Sequence, residues 1–115
     1  MTTKRPEFKV RHKPGAAILD LHGEVNAFAE DALNTAFAEA EGADPEVILL
    51  NFSRVDYINS TGIALIVGLL AQARESGRRL LACGLSEHYE EIFHITRLAD
   101  FMRVFPDEAS AMTSV

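Results

Sequence analysis

The sequence is poor in the residues that build disulfide frameworks, metal centres and membrane spans. Its 115 residues include one cysteine, Cys83, and no tryptophan. A single cysteine cannot form an internal disulfide, and it supplies too few thiolates for a structural zinc site. The longest apolar run, residues 63–71, is far shorter than the ~20 residues of a transmembrane helix. No signal-peptide core follows the basic start. We therefore expect a cytoplasmic protein without a metal, a cofactor or membrane insertion.

Positive charge is also scarce. Lysine and arginine number 11 against 17 aspartates and glutamates, which gives a net charge of −6. An acidic chain repels phosphate backbones, so direct nucleic-acid binding is disfavoured. The length and the 48% of hydrophobic residues predict one folded domain over residues 1–115. Five basic residues near the start are predicted to solvate an edge strand and discourage strand addition: Lys4, Arg5, Lys9, Arg11 and Lys13.

Strand and helix patterns alternate along the chain. The period of two around Val10, the turn at Pro14-Gly15 and the run 16–22 predict a hairpin that ends at Gly23. The later patterns predict helices at 27–41 and 60–76, strands at 47–50, 80–83 and 101–104, a short helix capped by Ser86 and a terminal helix opened by Asp107.

The resulting order is β-β-α-β-α-β-α-β-α. Strands that alternate with helices are typical of a parallel sheet, and the opening hairpin adds an antiparallel edge. We predict an α/β fold with a mixed, mostly parallel sheet and about four flanking helices.

The histidines and the cysteine do not form a recognisable catalytic or metal-binding pattern. His88 and His94 are six residues apart and point to different faces of a helix. His12 and His22 could approach each other across the hairpin, but no further ligands complete a set. Cys83 ends an apolar strand, which favours a buried, unreactive thiol.

A nucleophilic triad is equally poorly supported. Asp20, His22 and Ser60 have the right residue types, but Ser60 lacks the G-x-S-x-G elbow, and nothing in the sequence brings the three together. We expect no catalytic residues.

The segment 56–62 joins a buried strand to a helix and is rich in hydroxyl and amide groups. Asn59, Ser60 and Thr61 are all suitable helix caps, which is the usual role of such residues. The other interpretation is that Ser60 or Thr61 accepts a phosphoryl group. A phosphate adds about −1.5 to −2 charges, which a helix start tolerates and a facing acidic surface does not.

The helix that follows has apolar residues on two sides. Ile63, Ile66, Val67 and Leu70 are predicted to form its core stripe, and Leu65 and Leu69 lie on another side. Such a helix is either buried on both sides or presents one of them to a partner.

Two blocks of sequence resemble the STAS domain family, which is typified by bacterial anti-sigma-factor antagonists. Residues 56–68, DYINSTGIALIVG, are similar to the family's D-S-S-G-L-G loop and helix. The resemblance extends from the strand near residue 16 to the terminal helix near Ala111. The second block starts with CGLS at 83–86 and continues with Ile92, Phe93, Ile95, Thr96, Leu98, Phe101, Val104, Phe105 and Pro106.

The resemblance implies a non-catalytic regulator that acts by partner switching. The unmodified domain would bind a serine-kinase anti-sigma factor, which phosphorylates it with ATP and releases it; a PP2C-type phosphatase would restore the binding form. The family's acceptor serine falls on Ser60. A non-catalytic subunit of a stressosome-like assembly or of an ABC-type lipid-transport complex is the alternative, and self-association stays open.

The sequence departs from the family pattern at three positions. Asn59 replaces the acidic residue before the acceptor, which makes Thr61 an alternative acceptor. Arg97 stands where a glycine often follows the threonine, and Asn26 stands where an aspartate is frequent.

The partner surface is predicted to combine two loops with one side of a helix. Loops that follow the carboxyl ends of parallel strands lie along one edge of the sheet, so the turn after His22 can adjoin the loop before the helix. The predicted surface contains Gly23, Glu24, Asn26 and Phe28, the segment from Asn59 to Gly62, and the exposed side of the helix at Leu65 and Leu69.

Overall fold

The computed structural model describes residues 8–115, so the roles predicted for Lys4 and Arg5 lie outside the described residues. It contains five strands and four α-helices over this range: β1 (Lys9–Lys13), β2 (Ala16–Val25), α1 (Glu30–Gly42), β3 (Val47–Ile58), α2 (Ser60–Glu75), β4 (Arg79–Cys83), α3 (Glu87–Ile95), β5 (Arg103–Phe105) and α4 (Glu108–Thr113). Two 3₁₀ turns, Ala27–Ala29 and Leu98–Asp100, precede α1 and β5.

The sheet has the predicted mixed character. Its strands lie in the order β1-β2-β3-β4-β5, with β1 antiparallel to β2 and all other neighbours parallel. The α/β fold class and the antiparallel amino-terminal hairpin are therefore confirmed.

The helices divide unequally between the two faces of the sheet. The larger core joins one face to α1, α2 and α3 through residues such as Phe37, Ile66 and Phe93. The smaller core joins the other face to α4 through Ala111, and it includes Cys83. Cys83 is fully buried, as predicted, and burial raises the pKa of its thiol to about 12.

Two strands are longer than the sequence pattern predicts. The prediction that Gly23 ends β2 is wrong, because β2 passes through Gly23 at a positive φ and continues to Val25. The strand predicted at 47–50 continues to Ile58. These extensions mix polar with apolar residues and carry register shifts, but they pair with each other, Glu24 beside Tyr57 and Val25 beside Ile58.

The observed bounds of one helix and one further strand also differ from the predicted ones, because short 3₁₀ turns precede both elements. The helix predicted from residue 27 begins with a 3₁₀ turn, and the strand predicted at 101–104 lies at Arg103–Phe105. In the hairpin, His12 lies opposite Ala17, so its register does not bring His12 opposite His22.

Candidate functional site

The start of α2 is organised by Asn59. This residue has extended backbone angles, and its Oδ1 accepts a hydrogen bond from the Gly62 N–H at 2.8 Å. Of the three candidate caps, Asn59 therefore fills the role. Ser60 and Thr61 are the first residues of the helix and both are exposed. The Ser60 hydroxyl is thus accessible and is not needed for the cap.

Gly62 brings the start of α2 against the end of β2. A Cβ at this position would lie 2.0 Å from the Val25 carbonyl oxygen and 3.0 Å from Cγ2 of Ile58. The same Val25 oxygen accepts a hydrogen bond from the Asn59 N–H at 3.2 Å. The end of β2 and the residues after β3 are therefore direct neighbours.

Two aromatic side chains lie exposed at this end of the sheet. Asn26 caps the turn after β2, since its Oδ1 accepts a hydrogen bond from the Phe28 N–H at 2.9 Å. Phe28 on that turn is 87% exposed, and Tyr57, next to Ile58, is 52% exposed. Glu24 is also exposed and lies beside Tyr57 across the β2–β3 pair. The site thus combines apolar area with an accessible hydroxyl.

The exposed side of α2 is not the one predicted from sequence. Leu69 is only 1% exposed and Leu65 is half-buried, whereas Val67 is 47% exposed. The assignment of Leu69 to an exposed partner surface is therefore wrong. The reason is geometric: successive residues turn by about 100°, so Leu69 lies only about 60° from fully buried Ile66. The exposed side instead carries Ser60, Ala64, Val67 and Ala71.

A buried tyrosine forms a hydrogen bond with β3, the strand that leads into the site. The Ile58 N–H donates a hydrogen bond to the hydroxyl oxygen of Tyr89 at 2.9 Å. Pairing between β3 and β4 ends at Asn51 and Cys83, so Ile58, which pairs with Val25 of β2, lies beyond the β3–β4 ladder. Sequence reasoning missed this contact. The available signal was a tyrosine on the apolar side of α3, because a buried phenol needs a polar partner.

Asp20 belongs to a different cluster. Arg11 Nε donates to Asp20 Oδ2 at 2.6 Å, and the same guanidinium binds Glu108 at the start of α4. Asn51 donates to the other oxygen of Asp20 at 2.9 Å. The hydrogen bond from Arg11 lowers the pKa of Asp20, and a further bond from Arg11 lowers that of Glu108. These carboxylates are engaged in joining β1, β2 and α4.

The fold and the site define a class: a small α/β domain that presents an accessible serine at a helix start beside exposed aromatic residues. Residues 7–111 match the model of the STAS domain family. The chain belongs to that family. Within residues 8–115, none of the helices has the length and apolar character needed to cross a membrane.

Similar proteins include a curated relative and several solved structures. An anti-sigma-B factor antagonist of Staphylococcus epidermidis is 29% identical over 82 residues, which cover 71% of this chain and 76% of that protein. A Thermotoga maritima structure matches with a TM-score of 0.81 at 22% identity, over 94% of this chain and 93% of that one. SpoIIAA of Bacillus in its phosphorylated form matches with a TM-score of 0.71 at 18% identity, over 94% and 99%. The two structures share the fold of this chain.

Proposed function

We propose that this chain is an anti-sigma-factor antagonist that acts by partner switching at Ser60. In its unmodified form it binds a serine-kinase anti-sigma factor. The kinase transfers the γ-phosphoryl group of ATP to Ser60 Oγ, with loss of the hydroxyl proton and release of ADP, and the modified chain dissociates. A PP2C-type phosphatase hydrolyses the phosphoester and restores the hydroxyl. The chain itself is non-catalytic and acts in the cytoplasm as a single domain.

The observation that carries this proposal is the accessible Ser60 hydroxyl at a helix start whose cap is made by another residue. A kinase needs a hydroxyl that can enter its active site without breaking the fold. Because Asn59 supplies the cap, modification of Ser60 costs no capping hydrogen bond. The name of the staphylococcal relative and the existence of a phosphorylated fold neighbour support the same assignment.

The electrostatics at the start of α2 allow the domain to keep its fold when Ser60 is phosphorylated. The first turn contains no acidic residue, and the amino end of the helix dipole favours negative charge. Asn59, in place of the family's acidic residue, removes a neighbouring negative charge. A phosphate at Ser60 is therefore tolerated within the domain, while a partner seated on Ser60 would have to bury that charge.

The surface proposed for the partner differs from the predicted one along α2. It consists of Phe28, Tyr57, Ser60, Ala64 and Val67, and we call it the switch surface. Phe28 and Tyr57 supply large apolar area of the kind that anchors interfaces. Ala64 and Val67 extend the surface along the exposed side of α2, where a small side chain allows close approach.

A kinase assay tests the acceptor. The chain is incubated with its cognate anti-sigma kinase and ATP, and the product is analysed by intact mass and peptide mapping. We expect one phosphate on Ser60, none on Ser60→Ala, and normal phosphorylation of Thr61→Ala. Phosphate found only on Thr61, or on neither residue, contradicts the assignment.

A binding assay tests the switch. The kinase is titrated against wild type, Ser60→Asn and Ser60→Asp, the last two matched in size and different in charge. Ser60→Asp should bind at least about tenfold more weakly than Ser60→Asn, because a buried unpaired charge is costly. Equal binding of the two variants would favour the alternative role of a structural subunit in a larger assembly.

A further inference from the structure

A cluster of arginines lies at the end of the molecule remote from Ser60. Here a cavity of about 350 Å³ is lined by Arg74, Arg78, Arg79 and Arg103 together with Phe101 and Leu70. Arg74 lies fourteen residues beyond Ser60 on α2, and at 1.5 Å per residue the two are about 20 Å apart. This cavity therefore lies outside the switch surface.

Three of these arginines are available to a ligand, and the fourth is engaged. Arg78 donates to Asp44 Oδ1 at 2.9 Å, to the Pro45 carbonyl at 2.7 Å and to Glu41 Oε2 at 3.2 Å. Within the part of the chain that the structure describes, the ion pairs do not include Arg74, Arg79 or Arg103. All three are exposed. An acidic chain thus keeps together, at one cavity, three arginines that form no ion pair within residues 8–115.

An exposed aromatic ring lies among these charges. Phe101 is 60% exposed, and the guanidinium carbon of Arg74 lies 5.3 Å from the centre of its ring. A stacked guanidinium keeps its planar edge free for a carboxylate. Aromatic residues and arginine are the types that contribute most to the cores of protein interfaces. We call Phe101, Arg74, Arg79 and Arg103 the arginine surface.

We propose that the arginine surface binds an acidic segment of a partner protein, independently of the switch at Ser60. Guanidinium groups pair with carboxylates through two parallel hydrogen bonds, and Phe101 offers apolar area to a neighbouring side chain. A nucleic acid is a poor occupant of this surface. Its phosphate backbone would extend past the small patch and be repelled by the rest of a chain whose net charge is −6. A short acidic segment confines its charge to the patch.

The test uses the full chain and a fluorescein-labelled hexaglutamate peptide, with a hexaglutamine peptide as the neutral control. Fluorescence anisotropy at low salt should show binding of hexaglutamate and none of hexaglutamine. The double variant Arg79→Gln with Arg103→Gln should bind hexaglutamate about tenfold more weakly, since it loses two charged hydrogen-bond donors. Lys9→Gln with Arg54→Gln removes the same charge from exposed positions elsewhere and should change binding by less than about twofold.

Several results would overturn the proposal. These are failure of hexaglutamate to bind at about millimolar concentration, equal weakening in both double variants, and equal binding of hexaglutamine. Pyrophosphate binding as tight as that of the peptide would assign the surface to small anions. A wild-type dimer in sedimentation that is lost in Arg79→Gln with Arg103→Gln would assign it to a second copy of the chain.

The Ser60→Asp variant separates this inference from the proposed function. It should bind hexaglutamate as wild type does, because Ser60 lies at the far end of α2. A tenfold loss in Ser60→Asp would instead place the peptide at the switch surface and contradict the arginine surface. Failure of Ser60 phosphorylation, by contrast, leaves the peptide measurement intact.

Discussion

At the scale of single residues, the start of α2 depends on the absence of a side chain at Gly62. Gly62→Ala would place a Cβ 2.0 Å from the Val25 carbonyl oxygen, so the helix start or the end of β2 must move. We expect a loss of about 2–3 kcal/mol in the free energy of unfolding, measured by urea denaturation. Gly68→Ala is the matched control on the same helix, because its Cβ meets nothing within 4 Å. It should stabilise by about 0.5–1 kcal/mol through helix propensity. Equal effects of the two substitutions would contradict this role of Gly62.

Arg97 occupies a backbone conformation that glycine adopts more easily. Its φ of 64° lies in the left-handed region, between α3 and the 3₁₀ turn that follows. The family's frequent glycine at this position thus has a conformational reason. Arg97→Gly should raise the free energy of unfolding by a net of about 0.5–1 kcal/mol, because the relief of backbone strain outweighs the loss of the exposed ion pair with Asp100. Arg97→Ala loses the same ion pair and keeps the strain, so thermal unfolding should show no gain in that variant.

At the scale of elements, α2 is the helix whose orientation the sequence left open. Its structure buries Leu69 completely and exposes much of Val67. Leu69→Ala should therefore cost about 2–4 kcal/mol in the free energy of unfolding, because it leaves a cavity in the larger core. Val67→Ala removes a partly exposed side chain and should cost less than about 1 kcal/mol. Denaturation curves that rank the two variants in the opposite order would contradict the orientation of α2.

The sequence predicts the order of elements better than their ends. The type and order of the elements follow from local features, such as the continuous apolar run of β3 and the helix cap at Ser86. The polar ends of β2 and β3 were missed, because Glu24 and Tyr57 are held in the sheet by pairing with each other. Local pattern does not encode that pairing.

Only part of the candidate site could be predicted from the sequence. The helix start and its hydroxyls follow from residue types and their spacing. The assignment of Leu69 failed because several rotations of an apolar helix fit the same pattern, and packing against the sheet selects one. The hydrogen bond between Tyr89 and Ile58 joins residues 31 positions apart. A tyrosine on the apolar side of α3 indicates a buried hydroxyl that needs a partner, but no local signal identifies Ile58 as that partner.

At the scale of the whole molecule, one arginine connects the beginning of the described chain to its end. Arg11 on β1 binds Asp20 on β2, nine positions away, and Glu108 at the start of α4, 97 positions away. The pKa of Arg11 is raised in return, chiefly by the hydrogen bond with Asp20. The side chain is 41% exposed, so solvent screens part of the attraction.

This cluster predicts how stability depends on pH. The pKa values of Asp20 and Glu108 are lowered from ordinary values of 3.8 and 4.5, first by hydrogen bonds from Arg11. A carboxylate with a depressed folded pKa contributes its full stabilisation above its unfolded pKa and loses it as pH falls through the folded pKa. The free energy of unfolding of wild type should therefore decline as pH falls from about 5 to below the ordinary pKa of Asp20.

Arg11→Gln tests the cause of that decline. With the guanidinium removed, both carboxylates move toward their ordinary pKa values, so the variant should be less stable by about 1–2 kcal/mol at pH 7. The difference between wild type and variant, measured by urea denaturation, should shrink as pH falls below 4, since protonation removes what Arg11 binds. Arg79→Gln, an exposed arginine with no ion pair within the described range and no part in lowering the pKa of either carboxylate, should follow the wild-type profile closely. A constant gap for Arg11→Gln across this range would mean that the aliphatic part of Arg11, rather than its charge, holds α4 to the hairpin.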